Sequence, residues 1–514
     1  MNSSGLRQAF IPVVASIASL VCACAPGSGG DAADVPAVAE PEARVQKFVS
    51  AMTVTSDCGV ENKPRSSNGF AGPVGVEVSE MRERIAARVA VGADREPVET
   101  DWDRVAPGYV LVEPSSLKQS YLVGTDKEVV ATYSGDYYPK YTQILPNGNR
   151  LYSSNGRWVG ISGGGGATGC VEEYAANGDL LWRVNLNNVD FMSHHAVRKL
   201  DNGNVLALVW HKASTDDAIS QGRDPEYVSE DGEFWFEGVV EVNPYTLEIV
   251  WEWSIRHHLI QEFDIGKSNF GVVADHPELM DINHFLTNDD GDSLGADWTH
   301  ANALDYNPEL DQIIVSIRSM NEVVVIDHST TPRESAGHSG GRYGKGGDFL
   351  YRWGNPETYG RGTADDRKLF LQHDVQWIRP GLPGAGNILI FNNGEPDVRP
   401  YSTIVEFSPA MNSDGSYVLE EGKAYGPEEL VWEYNPESEE QFFSWFISGV
   451  QRLPNGNTFI NAGAIGQQRE VTSSGDIVWE YTFKNEVDAP QQMFRADKYP
   501  VDYAGIAGLI SDDE

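Results

Sequence analysis

Residues able to do acid–base or nucleophilic chemistry recur in this chain at a fixed distance from a turn. Lys140 lies seven residues before Asn147 (LPNGN), His195 seven before Asn202 (LDNGN), His300 seven before Asn307, and Ser448 seven before Asn455 (LPNGN). A fifth unit opens at His373, with its turn stretched to RPGLPGAGN. Equivalent positions of repeats arranged in a ring point at one shared place. Neutral imidazole can serve there as nucleophile, general base or metal ligand near neutral pH. The chain has only 11 histidines, so the shared place is the candidate active site. Two other readings stay open: the three histidines satisfy hydrogen bonds along a polar channel, or they form an open zinc site on neighbouring strands.

The elements that must position these residues are hairpins. Each unit reads as an apolar strand, an Asn-Gly type turn and a second apolar strand, as in VQRLPNGNTFINAG. An outer hairpin follows and ends in an aromatic: Trp182, Trp251, Trp353, Trp432 or Trp479. The segment from Tyr121 to Tyr133 is an outer hairpin without its own inner one, so it should complete a blade with another part of the chain. Five units plus this remnant predict an all-β fold, a six-bladed β-propeller over residues 106–505, preceded by a small accessory segment at 46–105. Within that segment Glu77 to Val91 has helical spacing. The insertion from His257 to Trp298 reads as a solvated acidic loop; its NDDGDSLGAD run lacks EF-hand spacing.

Composition limits partners and compartment. With 76 acidic and 38 basic residues the formal charge is −38, which excludes nucleic acid and anionic membrane faces as partners. Arg7 precedes an apolar run that ends in VCAC, so residues 1–24 read as a lipoprotein signal peptide with Cys24 lipidated. An ordinary secretory signal is the alternative. Residues 25–45 read as a flexible tether and 506–514 as an acidic tail. The expected location is the periplasm or the outer membrane of a Gram-negative bacterium, with membrane contact only through the lipid. Cys58 and Cys170 are then the remaining cysteines and a possible disulfide.

Around the histidines the sequence is specific. WTHANALDYNPELDQIIVSIR holds His300, Asn302 and Arg318; QHDVQW and the FNNG segment bring His373, Asn393 and Arg399; SGVQRLPNGNTF holds Ser448. These motifs, with YRWGNP, resemble the bacterial aryl-sulfate sulfotransferase family, over about residues 110 to 505. The resemblance implies a six-bladed exported propeller that transfers a sulfuryl group from a phenolic sulfate ester to a phenol, without a nucleotide donor or other cofactor. It implies that a histidine nitrogen takes the sulfuryl group, other funnel histidines handle the phenol proton, and Arg and Asn neutralise the sulfuryl oxygens. His300 and His373 match two of the family's funnel histidines, and Arg399 looks like its oxyanion-binding arginine. Arg318 and Asn302 and Asn393 are the further substrate-binding candidates.

One departure is expected. The sulfuryl-accepting histidine is looked for on the blade after the QHD motif, where this chain has Ser448 and no later histidine. His300, His373 or a Ser448–His373 pair is then the candidate nucleophile, with His195 completing the cluster. The alternatives are a metal-dependent or Ser/His hydrolase of an anionic ester, a non-catalytic envelope scaffold, and a quinone-cofactor dehydrogenase, for which the chain offers no adjacent-cysteine pair.

Overall fold

The recurring asparagine folds its own turn. Asn147, Asn202, Asn307 and Asn455 each accept, through Oδ1, the backbone N–H two residues on, at 3.0, 2.9, 3.1 and 3.1 Å. This side-chain turn leaves the flanking apolar residues free to pair as antiparallel strands. The computed structural model describes residues 54–59, 98–155, 165–229, 232–284, 296–436, 442–485, 489–507 and 509. All of them fall in the unit Val45–Glu514.

Six four-stranded antiparallel sheets form the blades of a propeller. Blade 2 is Pro139–Ile144, Arg150–Asn155, Gly169–Tyr174 and Leu180–Asn185. Blade 3 is Phe191–Lys199, Val205–Ser214, Glu233–Asn243 and Glu248–Ser254; blade 4 is Ala301–Asn307, Gln312–Ile317, Glu322–Asp327 and Tyr351–Trp353. Blade 5 is His373–Trp377, Ile388–Asn392, Thr403–Phe407 and Trp432–Tyr434; blade 6 is Gly449–Arg452, Thr458–Ala462, Gln467–Val471 and Ile477–Thr482. Blade 1 closes the ring from both ends of the chain. Its innermost strand is Ala496–Pro500, which pairs with Gly108–Val112, then Gln119–Gly124 and Val129–Ser134. The orphan outer hairpin thus finds its partner in the last strand. First strands of successive blades pack on one another and surround the axis.

The blade-closing tryptophans explain themselves through their indole N–H groups. Trp251 donates to Thr330 Oγ1, Trp353 to Pro427 O, Trp432 to Ser473 O and Trp479 to Thr125 O, at 2.8–3.1 Å. Every one of these acceptors lies in the connection between third and fourth strands of the next blade. A large apolar body with one polar tip therefore packs a blade face and pins its neighbour. Trp182 bonds within its own blade, to Glu173.

The helical reading of Glu77 to Val91 lies outside the described residues, as do the signal, the tether, most of the acidic tail and all of NDDGDSLGAD except Ala296 and Asp297. Two stretches of the accessory segment are described: at 54–59 Thr55 bridges Asn185 and Cys58 is disulfide-bonded to Cys170 in blade 2, with Cα atoms 5.7 Å apart, and at 98–105 the Asp101 N–H bonds Val478 O in blade 6. The insertion after blade 3 contains a short parallel pair, Leu259–Ile260 with Met280–Asp281. Among the described residues no helix is long and apolar enough to cross a membrane.

Ring closure includes a buried ion pair, Lys498 Nζ to Glu470 Oε2 at 2.6 Å, linking blade 1's innermost strand to blade 6. Removing one partner strands the other charge. Lys498→Met should lower unfolding stability by roughly 3–5 kcal/mol in urea titrations, and Lys498→Met with Glu470→Gln by less.

Candidate active site

The first strands of blades 2 to 5 are irregular at or beside the recurring residue. Register shifts fall between Pro139 and Tyr141, His194 and Val197, Ala301 and Ala303, and His373 and Gln376. His195 and His300 adopt left-handed backbones (φ 48° and 47°), as do Asp374 (55°) and the Ile447–Ser448 pair (48° and 103°). A bulge re-aims a side chain that the pleat would otherwise send into a blade face. Left-handed geometry costs a non-glycine residue on the order of 1 kcal/mol, a strain that characteristically gathers at functional sites. The strained residue of blade 5 is Asp374, so His373 stands one residue ahead of the slot held by His195 and His300, at the place of His194. The stretched turn conceals this shift in the sequence.

The structure still brings His195, His300 and His373 together. The rings of His195 and His300 are 4.9 Å apart, edge to face. His373 acts electrostatically on His195, and His300 on His373. Burial first, then the neighbouring positive groups, hold His195 and His373 well below the ordinary histidine value, so both are neutral at pH 7.

Hydrogen-bond partners fix the tautomers. His300 Nδ1 lies 2.5 Å from Asp297 Oδ2 and donates to it, which leaves a lone pair on Nε2. His373 Nδ1 donates to Asn393 Oδ1 at 2.7 Å, and its Nε2 accepts the Ile447 N–H at 3.2 Å. His194 stacks on Trp210 at 4.0 Å and sets Nε2 2.6 Å from Glu237 Oε1, both fully buried. Its Nδ1 lies 2.9 Å from His195 Nδ1, so one of the two rings donates to the other. The other Glu237 oxygen takes Thr299 Oγ1 and the Ala301 N–H, flanking His300. One carboxylate thus braces two adjacent slots.

The remaining sequence candidates sort by their partners. Asn393 spends its amide on Ser444 O and Ile447 O, so it positions His373. Asn302 donates to Gln372 O at 2.7 Å, while its Oδ1 is buried without a partner. Ser448 Oγ is buried in bonds with Ser444 Oγ (2.8 Å) and the Gly463 N–H (3.2 Å), not with His373. Arg399 turns to its own blade, bonding Tyr401 O and Thr403 Oγ1 at 3.0 and 2.9 Å. Arg318, which follows blade 4's second strand, makes no side-chain hydrogen bond or ion pair among the described residues, and burial lowers its pKa to about 10. Its charge acts on His373. Lys140 is likewise without a side-chain partner among the described residues, and its charge acts on His195.

Sequence reasoning missed Asp297, which it left in a solvated loop, and the His194–Glu237 brace. Lys140 held the recurring position, but its role needed the neighbouring ring in view. The three funnel histidines direct Nδ1 to three different partners, and they are not among the described residues whose ligand atoms gather within 4.8 Å of one another. Phe494 lies 5.6 Å from His195, and Trp445 and Phe446 precede Ile447 with partly exposed rings, so aromatic surface borders the cluster.

The model of the arylsulfotransferase (ASST) family matches residues 143–500. No curated protein sequence matches the chain. Among solved structures, a Bacteroides caccae protein of unknown function is 14% identical, covering 76% of this chain and 99% of its own at TM-score 0.40. The periplasmic gluconolactonase of Pseudomonas aeruginosa is 13% identical, covering 77% and 99% at TM-score 0.35. AztD of Citrobacter koseri is 8% identical, with 77% and 99% coverage at TM-score 0.35.

Gly166 seats His195. Its φ is +80°, and a Cβ there would fall 2.0 Å from His195 Nε2. Gly166→Ala should displace the ring and cost about 1–3 kcal/mol, seen as a lower denaturation midpoint and a shifted His195 resonance.

Proposed function

The chain belongs to the arylsulfotransferase family, and from that premise we propose that it moves a sulfuryl group from a phenolic sulfate ester to a phenolic acceptor, with no nucleotide donor. One observation carries the reading: two imidazoles with lone pairs fixed on Nε2, His300 and His373, beside an arginine without a protein partner among the described residues. A sulfuryl group needs a neutral nucleophile, a proton carrier and a cation for its oxygens.

In the first half of the reaction His373 Nε2 gives up its bond from the Ile447 N–H and attacks sulfur; the N–S bond forms as the S–O bond to the aryl oxygen breaks. The aryl oxygen leaves as the phenolate, because His300, its Nδ1 hydrogen held by Asp297, carries a lone pair and no proton on Nε2. Arg318 faces the sulfuryl oxygens, and Lys140 adds a second positive charge at His195. In the second half His300 Nε2 removes the acceptor's phenolic proton, the new O–S bond forms, and the N–S bond breaks. The rings of Trp445, Phe446 and Phe494 offer surface for the aryl groups. Asn393 keeps the His373 lone pair on the attacking nitrogen. Ser448, with its hydroxyl committed to Ser444 and Gly463, supports the backbone beside His373 rather than attacking. We also propose that the protein is exported and anchored through a lipid on Cys24; the Cys58–Cys170 disulfide supports an oxidising compartment.

Acceptor-dependent release from 4-nitrophenyl sulfate tests the proposal. Wild type and Ser448→Ala should turn over, His373→Gln should not, and quenched wild type should carry a sulfuryl adduct on the His373 peptide. An adduct on another residue, or turnover surviving His373→Gln, rejects this assignment of the nucleophile. Folded protein with no turnover on any aryl sulfate rejects the transferase. Asp297→Asn should lower kcat by about 10²–10⁴-fold with little effect on KM.

The pH dependence follows from burial and Arg318, which both disfavour imidazolium at His373. The acid limb of kcat/KM should therefore lie below pH 6.5. Arg318→Met removes the largest of the charge effects on His373 and should move that limb upward, besides raising KM for the anionic donor.

A further inference from the structure

Away from the funnel, His258, His338 and Asp348 place His258 Nδ1, His338 Nδ1 and a carboxylate oxygen within 4.8 Å of one another. His258 follows blade 3's last strand. His338 and Asp348 lie on the long connection between blade 4's third and fourth strands, which also receives the Trp253 indole N–H at Gly347 O, 2.7 Å away. The His258 ring is parallel to Trp253, with centroids 5.8 Å apart. Both imidazoles put Nδ1 2.8 Å from the same oxygen, Asp348 Oδ1.

The proton count at His258 is awkward. Its Nε2 lies 2.8 Å from Ser335 O, and a carbonyl only accepts, so Nε2 carries a hydrogen. Its Nδ1 faces Asp348 Oδ1, the same oxygen that His338 Nδ1 approaches, so two ring nitrogens crowd one carboxylate oxygen while the His258 side chain is 0% exposed. A divalent cation in place of the shared protons removes the difficulty: each Nδ1 becomes a lone-pair donor, Asp348 stays anionic, and the Ser335 bond holds the His258 tautomer as outer partners of metal-bound histidines do.

We propose that His258, His338 and Asp348 form a binding site for a borderline divalent transition-metal ion of the zinc class, pinning the blade 4 connection against blade 3. Two imidazole nitrogens and one carboxylate oxygen are a zinc donor set with an open position. Tetrahedral zinc needs its donor atoms about 3.3 Å apart, so the 2.8 Å contacts open by a few tenths of an ångström. His338, 62% exposed, gives the ion its way in and leaves the fourth position to water. The site stands apart from the sulfuryl-transfer proposal and does not depend on it.

Zinc chloride titrated calorimetrically into chelator-treated, tag-free full-length protein tests this. Wild type and His300→Gln should each bind about one equivalent, with a rise in melting temperature. His338→Ala, at an exposed position, and Asp348→Asn should bind at least about tenfold more weakly while folding as wild type by circular dichroism. No bound zinc, or equal binding by wild type and His338→Ala, overturns the proposal and leaves a protonated histidine–carboxylate cluster. Binding lost in His300→Gln and kept in His338→Ala overturns it equally, by placing the ion in the funnel.

Discussion

The site depends on irregular backbone in the first strands that carry it, those of blades 3 to 5. A propeller brings the first strands of its six sheets around one axis, but a regular pleat alternates side chains between the two blade faces. Only an irregular residue can aim at the axis. His195 and His300 do so at φ values near 48°, and the resulting strain is held by bonds that converge on them. The His195 N–H bonds Gly166 O, the Arg318 N–H bonds His300 O, and Glu237 spans from His194 to the N–H of Ala301. These partners come from other strands and connections, so the slots are set by the assembled ring rather than by one hairpin.

That dependence decides which parts were legible beforehand. Strand, turn and repeat are local, and the LPNGN turns with their trailing tryptophans disclosed the blade count and even the orphan hairpin whose partner is Ala496–Pro500. Residue types in the recurring slot disclosed His195 and His300. His373 was found through its flanking motif, yet its register was off by one, because the longer turn of blade 5 breaks the offset used to align it. Asp297 was unreadable: it ends an acidic run resembling any solvated loop, and only the chain's return toward blade 4 sets it against His300. Arg318 and Arg399 look alike in sequence, each following a second strand. The difference is whether nearby carbonyls and hydroxyls capture the guanidinium, as Tyr401 and Thr403 do for Arg399.

Capture of this kind also separates structural charge from charge available to a ligand. Along the first strands most ionic groups are matched. Asp305 lies 3.1 Å from Arg198 and 2.7 Å from Arg379, Asp374 lies 3.3 Å from Arg495, and the Tyr141 hydroxyl donates to Asp497 at 2.7 Å. Such pairs have largely cancelled fields and little left for a substrate. Arg318 and Lys140 are the contrast: among the described residues neither has a side-chain partner, and both act on funnel histidines. In a chain of formal charge −38, a carboxylate to neutralise either would be easy to supply. Their unpaired state holds positive potential at one place inside an acidic shell, where an anionic ester of the proposed kind would be stabilised though its long-range approach is otherwise disfavoured.

Arg318 also sets the protonation of the nucleophile it would serve. A histidine that holds a proton on its attacking nitrogen cannot accept a sulfuryl group, and an anionic ester arriving nearby would tend to draw that proton in. Burial and Arg318 oppose this at His373, while Asn393 holds the remaining proton on the far nitrogen. His300 differs in the one respect its role requires: its far nitrogen faces a carboxylate, which stabilises the imidazolium that forms when a phenolic proton is taken up. Two imidazoles that act on one another electrostatically are thus set for opposite tasks by one amide and one carboxylate. Exchanging those two second partners, and not the histidines themselves, would reverse which ring carries the proton and which meets the sulfur.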